Sequence, residues 1–311
     1  PPLLRRVLND PQQPEPPADP LPPPSTTLTP STREPTGGSR LSDEVSRTSH
    51  DIDAADGYRF NVRVHRPKGV AGALPALVWM HGGGMVAGTN LQDDARFDVW
   101  SRRLGIVGVS VDYGLSPERP YPGPLEDCYA ALGWAHEHAA ELGIRRDAIG
   151  IGGSSAGGNL TAGLALLARD RGEHAVAFQT LVYPMIDDRM TTPSSQWDVP
   201  LWPASTLELM WNCYLEGRRG GPDVDQYASP GRATDLRGLP PAFMCVGTLD
   251  GFLDEDVTYA QRMIQAGVPV ELHVYPGAPH GFDLYMPESR IGRRGRRHLE
   301  EWLADVIDRL P

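Results

Sequence analysis

From residue 45 onward, short runs of β-branched and apolar residues alternate with longer stretches whose apolar positions recur every three to four residues. The first pattern predicts strands and the second amphipathic helices. Strands are expected at 45–51, 58–66, 75–80, 106–112, 148–152, 178–183, 242–246 and 270–275. Helices are expected at 93–104, 125–142, 155–169, 206–215, 256–266 and 289–308. The first strands follow one another without helices, and after them strand and helix alternate. "PALVWM" and "AFMCVG" are apolar on both faces, as strands are inside a parallel sheet covered by helices on either side. The expected fold class is α/β, with a mostly parallel eight-stranded sheet flanked by helices.

Two stretches break the pattern. Residues 1–44 form a Pro-rich arm, poor in aromatics, whose prolines remove N–H donors and leave room only for one short helix near 3–8. Two readings stay open for it: a flexible arm, or a segment folded over the site as part of a lid. Residues 184–241 are too long for a plain crossover and too apolar for disorder, so they read as an inserted cap in a domain running from 45 to 311. Trp197, Trp202 and Trp211 in that insertion either line a pocket or fill the cap's own core.

Charge and cysteine usage narrow the function classes. The chain of 311 residues carries 29 Lys+Arg against 40 Asp+Glu, a net charge of −11. A field of that sign repels phosphate backbones and argues against a nucleic-acid partner. The GRRGRR run at 292–297 is short and suits a solvated helix face. Cys128, Cys213 and Cys245 are odd in number and widely spaced, which suggests neither a disulfide framework nor a zinc site. Free thiols point to a reducing compartment, so a cytoplasmic location is expected. No apolar run is long enough to span a membrane. The chain starts without Met, which leaves a removed leader open.

The chemistry lies in three glycine- and acid-bearing turns, each after an expected strand. In an open parallel sheet, ligands bind at the carboxyl ends of the strands. The stretch "IGIGGSSAGGNL" carries two adjacent serines. A nucleophile on a sharp strand-to-helix turn needs glycines two residues before and two after it, because side chains there would collide with the neighbouring elements. Ser155 fits, between Gly153 and Gly157; Ser154 does not, because its trailing position is Ala156. Ser155 also opens a helix, where N–H groups and the dipole favour developing negative charge. The second turn, "WMHGGGMVAG", lets its backbone N–H groups face a ligand, as an oxyanion requires. The third signal is a pair, "GTLDGFLDED" and "YPGAPHGFD", which supplies an acid and a base in the order Ser155, Asp250, His280. Asp254 competes with Asp250, which is preferred because it comes first after the strand. Glu255, Asp256 and Asp283 read as helix-start or surface charges.

Together with "VDYGLSPERPYPGPLEDCYAALGWA" and "SPGRATDLRGLPPAFMCVGTLDGFLDED", these motifs resemble the hormone-sensitive-lipase-like branch of the α/β-hydrolases, the bacterial family IV carboxylesterases. The resemblance runs from about 55 to 308. It implies an α/β-hydrolase fold with a cap built from the N-terminal segment and the insertion. It implies Ser155 as nucleophile, His280 as base, Asp250 as acid, and an oxyanion hole from the N–H groups of Gly83, Gly84 and Ala156. His81 then looks like a loop-positioning residue, with Gly82 beside it. The chain departs from the family's pattern in three places. Ser154 stands where Asp or Thr is usual. Asp250-Gly251-Phe252 replaces DPL and loosens the acid's turn. The first forty residues match poorly.

The expected activity is hydrolysis of short- to medium-chain carboxylic esters through an acyl-enzyme, in a cleft under the insertion, with no cofactor and no metal. A metabolite-specific deacetylase or amidase with the same triad is a second reading, and a non-catalytic binding protein on the same fold a third. The spacing of His136-Glu137-His138 puts the histidines on different helix faces, so they read as solvated polar residues and not as metal ligands. Cys245 reads as a packed core thiol, and Glu126 and Asp127 as ties between loops. The sequence leaves a homodimer open.

Overall fold

The computed structural model describes residues 41–199 and 202–310. The N-terminal arm's expected short helix and its part in a lid lie outside the described residues.

Among the described residues eight strands form one sheet in the order β1-β2-β4-β3-β5-β6-β7-β8. They are β1 (Val45–Asp53), β2 (Arg59–Pro67), β3 (Leu74–Met80), β4 (Val107–Asp112), β5 (Ile144–Ser154), β6 (Gln179–Val182), β7 (Ala242–Leu249) and β8 (Val270–Pro279). β2 runs antiparallel to β1 and to β4, and every pairing from β4 to β8 is parallel. The two-faced apolar runs explain the layering. Ala76, Val78 and Met80 of β3 join one core, while Leu77 and Trp79 join the other. β7 divides in the same way, with Ala242 and Met244 on one side and Phe243 and Cys245 on the other. Alternate side chains of a strand point to opposite faces, so a strand that is apolar throughout must be covered twice.

The helices that cover it are α1 (Asp94–Leu104), α2 (Gly123–Glu137), α3 (Ala139–Leu142), α4 (Ala156–Arg171), α5 (Ala204–Tyr214), α6 (Leu253–Gln265), α7 (Phe282–Tyr285) and α8 (Arg290–Asp308). The single helix expected at 125–142 is divided at His138, which leaves helical geometry at φ −95° and ψ 13°. At the break the His138 N–H keeps its bond to the Trp134 carbonyl four residues back, and its Nδ1 lies 3.0 Å from the same oxygen. His136 is not solvated, as expected, but buried, with Nε2 on the Ala175 carbonyl at 2.9 Å. In α8 the glycines of the GRRGRR run face inward against Met286 and Phe282, and Arg293, Arg294 and Arg297 face solvent. Among the described residues no helix is long and apolar enough to cross a membrane.

The insertion between β6 and β7 holds α5 and two 3-10 turns, Ser194–Gln196 and Pro230–Arg232. Its two ends are clasped together where Asp188, fully buried, accepts two bonds from Arg232 at 2.6 and 2.8 Å and one from the Gly220 N–H at 2.7 Å. The three tryptophans have separate fates. Trp211 is in the core, Trp197 is at the surface, and Trp202 stands beside His280.

Candidate active site

Ser155 sits between the last residue of β5 and the first of α4, at φ 57° and ψ −119°. A non-glycine residue at such angles costs on the order of 1–3 kcal/mol and persists only when its surroundings over-determine it. Here they do. The Ser155 N–H donates to Val182 O at 2.9 Å, and its carbonyl accepts from Met185 and Asn159. A Cβ on Gly157 would lie 2.0 Å from Met80 O, and one on Gly153 would lie 2.3 Å from Gly157 O. The glycine spacing is therefore a packing requirement of the end of β3 on the elbow.

The loop after β3 lies directly against this elbow. A Cβ on Gly82 would be 3.5 Å from the Ser155 Cβ. Gly83 and Gly84 have φ of 130° and 65°, and the Gly83 carbonyl accepts from the Val86 and Ala87 N–H groups, which curls the loop back on itself. Among the described residues the amides of Gly83, Gly84 and Ala156 donate to no acceptor. His81 is buried, stacks on Tyr113 at 4.3 Å, and holds the Gly82 carbonyl through Nδ1 at 2.8 Å, while the Tyr113 hydroxyl donates to the His81 carbonyl. Burial lowers the His81 pKa to about 4, so the ring is neutral near pH 7 and acts as a strut for the loop.

Asp250 and His280 come from the ends of β7 and β8. Nδ1 of His280 lies 2.8 Å from Asp250 Oδ2, and Nε2 lies 2.9 Å from Ser155 Oγ. Asp250 is 1% exposed and His280 is 5% exposed. The expected loosening of the acid's turn is not seen. Asp250 Oδ1 accepts the Phe252 N–H at 3.1 Å, and the Gly251 carbonyl accepts the Ser194 hydroxyl at 2.9 Å, so side chains close the turn without a proline.

The other acids sort by burial. Asp254 does not reach His280. Its Oδ2 accepts the Ser194 N–H at 2.8 Å, and its own N–H donates to Ser194 Oγ, tying the insertion to α6. Glu255, Asp256 and Asp283, expected as helix-start or surface charges, do stand in first helical turns, Asp283 in that of α7, but all three are buried and none is a surface charge. The first two lie in the first turn of α6, which packs its inner face under the sheet's edge. Glu255 accepts the Ile186 and Asp187 N–H groups, and burial pushes its carboxyl well above the usual range. Burial and the neighbouring Glu255 do the same to Asp256. Asp127 is a tie between loops, holding Arg119 and the Gly114 N–H, and Glu126 binds Arg171.

α5 of the insertion roofs the site. Leu207 lies against Gly251 beside the acid, and Met210 lies over Gly84 beside the serine. Tyr183, directly after β6, was missed from the sequence, and its ring is 4.7 Å from that of His280. A single tyrosine ending an apolar strand carries no chemical signal by itself.

Comparison with known proteins identifies the family of this fold. The α/β-hydrolase fold family matches residues 77–284. The carboxylesterase NlhH of Mycobacterium tuberculosis is 38% identical over 229 residues, covering 71% of this chain and 70% of its own. The ethyl acetate hydrolase of Pseudomonas putida is 33% identical over 238 residues, covering 74% of each. Among solved structures, a bacterial heroin esterase superposes with a TM-score of 0.84 at 42% identity, covering 86% of this chain and 87% of its own. With a family match over well more than half its length and carboxylesterases among its relatives, the chain belongs to the α/β-hydrolase family, in its hormone-sensitive-lipase-like branch.

Proposed function

We propose that the chain is a serine carboxylesterase hydrolysing esters of short and medium acyl chains, with Ser155 as nucleophile, His280 as base and Asp250 as the acid that orients it. One observation carries the assignment: Asp250, His280 and Ser155 form an unbroken hydrogen-bonded line. Ser155 Oγ attacks the ester carbonyl carbon, and its proton passes to His280 Nε2. The carbonyl oxygen becomes an oxyanion, held by the N–H groups of Gly83, Gly84 and Ala156. Each such donor typically contributes about 10²–10³ in rate. As the tetrahedral intermediate collapses, the bond to the alcohol oxygen breaks and His280 returns the proton to it. Water then repeats the sequence on the acyl-enzyme, again giving its proton to Nε2, and frees the acid and Ser155. Asp250 keeps Nδ1 protonated, so that Nε2 is the accepting nitrogen.

The apolar roof of Leu207 and Met210 supports the limit on acyl length. The proposal extends to a cytoplasmic location, supported by three free cysteines. It also extends to a homodimer, supported by β8 as a sheet edge with Val274 39% exposed. The test is a hydrolysis profile over p-nitrophenyl esters from acetate to palmitate, with one amide included. A maximum at short or medium chains is expected, and turnover of the amide alone would overturn the reading.

A further inference from the structure

We propose that Tyr183, Asp283 and Arg96 form a buried strap that holds the His280 imidazole at the tilt its proton transfers require, which makes them positioning residues for ester hydrolysis. The inference rests on His280 being the base. The bonds to Asp250 and Ser155 lie at the two ring nitrogens and fix a line across the imidazole. Rotation about that line is only weakly resisted by the bonds themselves. Yet Nε2 must address first the serine oxygen and then the leaving alcohol, and small misplacements are costly.

Rings packed around the imidazole resist that rotation. Tyr183 stands at 4.7 Å and 66°, Phe252 at 5.2 Å and 84°, and Trp202 at 6.2 Å and 83°. Among the described residues, Tyr183 is the one of the three whose ring is itself tied by a hydrogen bond. Its hydroxyl donates to Asp283 Oδ1 at 2.6 Å, and its backbone N–H donates to Cys245 O at 2.7 Å. Its φ of 39° is left-handed, a conformation that needs such anchorage. Burial, with the Asp283 carboxylate beside it, pushes the phenol well above its ordinary range and keeps it a donor.

Asp283 lies three residues after His280, in the first turn of α7, so the strap returns to the base's own segment. Its other oxygen meets Arg96 of α1 at 3.2 Å. Arg96 in turn lies over Trp79 at 4.7 Å and Trp100 at 5.3 Å, with Asp93 at 3.7 Å as a second partner. The charged and titratable groups joined to His280 through these contacts are thus Asp250 directly after β7, Tyr183 directly after β6, Asp283 in α7, Arg96 in α1 and Asp93 just before α1, with Glu255 and Asp256 of α6 near Asp250.

The test uses the full chain, with p-nitrophenyl butyrate kinetics from pH 5 to 9 and folding followed by circular dichroism. Tyr183→Phe keeps the ring and removes only the tie; kcat should fall about tenfold with KM within about twofold. Arg96→Met should show the same loss, and Arg96→Lys, which keeps the charge, should recover most of it. In Asp283→Asn the amide oxygen still accepts from Tyr183 while the negative charge is gone. The acid limb of kcat/KM should then move to lower pH by roughly half a unit or more. Parental kcat in Tyr183→Phe, or an unmoved limb in a folded Asp283→Asn, overturns the strap. Should Arg96→Met not fold, Tyr183→Phe decides alone. An unaltered chain that hydrolyses no ester refutes the esterase reading instead, so the two failures are distinct.

Discussion

Nε2 of His280 stands 2.9 Å from Ser155 Oγ, whereas the adjoining Ser154 makes no side-chain hydrogen bond among the described residues. Ser155→Ala should therefore reduce kcat by about 10⁴-fold or more, and Ser154→Ala should leave most of the activity. An organophosphate adduct mapped by mass spectrometry to Ser154 would overturn the assignment.

Asp250→Asn should lower kcat about 10⁴-fold, since the amide cannot hold Nδ1 protonated. Asp254→Asn keeps an amide oxygen that can accept the Ser194 N–H but removes the charge, and should cost about 1 kcal/mol or less of stability with little change in kcat. Steady-state kinetics and thermal melts on both variants separate the two, and exchanged effects would make Asp254 the acid.

Met210 bears on chain length. A Cβ on Gly84 would lie 2.2 Å from its sulfur, so Met210 closes the space over the Gly82–Gly84 loop. Met210→Ala should shift the acyl optimum to longer chains, with a gain of about fourfold for each additional methylene it admits, from roughly 0.8 kcal/mol per buried CH₂. The ester series read as kcat/KM checks this, and an unchanged profile would place the acyl group elsewhere.

His65 supplies a pH dependence of stability. It is fully buried, stacked on Phe97 at 4.9 Å, and burial together with Arg63 and Arg47 lowers its pKa to about 3. The unfolded chain takes this proton below about pH 6.5, while the folded chain does not until about pH 3. The contribution is thus complete above pH 6.5 and is lost as pH falls, by about 3 kcal/mol at pH 4. His65→Gln should melt below the parent at pH 7, and the gap should narrow by several degrees by pH 4.5. A gap constant with pH would mean His65 is protonated in the folded state.

What was legible in the sequence was local. Apolar runs mark β3 and β7, and glycines flanking Ser155 mark the elbow, because each requirement falls within a few residues of chain. What was missed depends on distant partners. Glu255 and Asp256 look like ordinary first-turn acids, and only the Ile186 and Asp187 amides explain why Glu255 is buried. Asp283 and Tyr183 meet across 100 residues. β8 was expected to stop before Pro276 but continues to Pro279, because an edge strand tolerates proline and Thr248 Oγ1 takes the Gly277 N–H. The break at His138, where Nδ1 meets the Trp134 carbonyl, leaves the spacing of apolar residues along 125–142 in step, so periodicity does not register it.

Ser194 grips both the Gly251 carbonyl and the Asp254 backbone, so the insertion and the acid-bearing turn are fastened at one point. Heat that loosens the insertion therefore also releases the turn that aims Asp250. Segments open in units with their own free energies, and the least stable unit goes first. If the insertion is the first unit to open, turnover should fail on warming while the eight-stranded sheet is still intact.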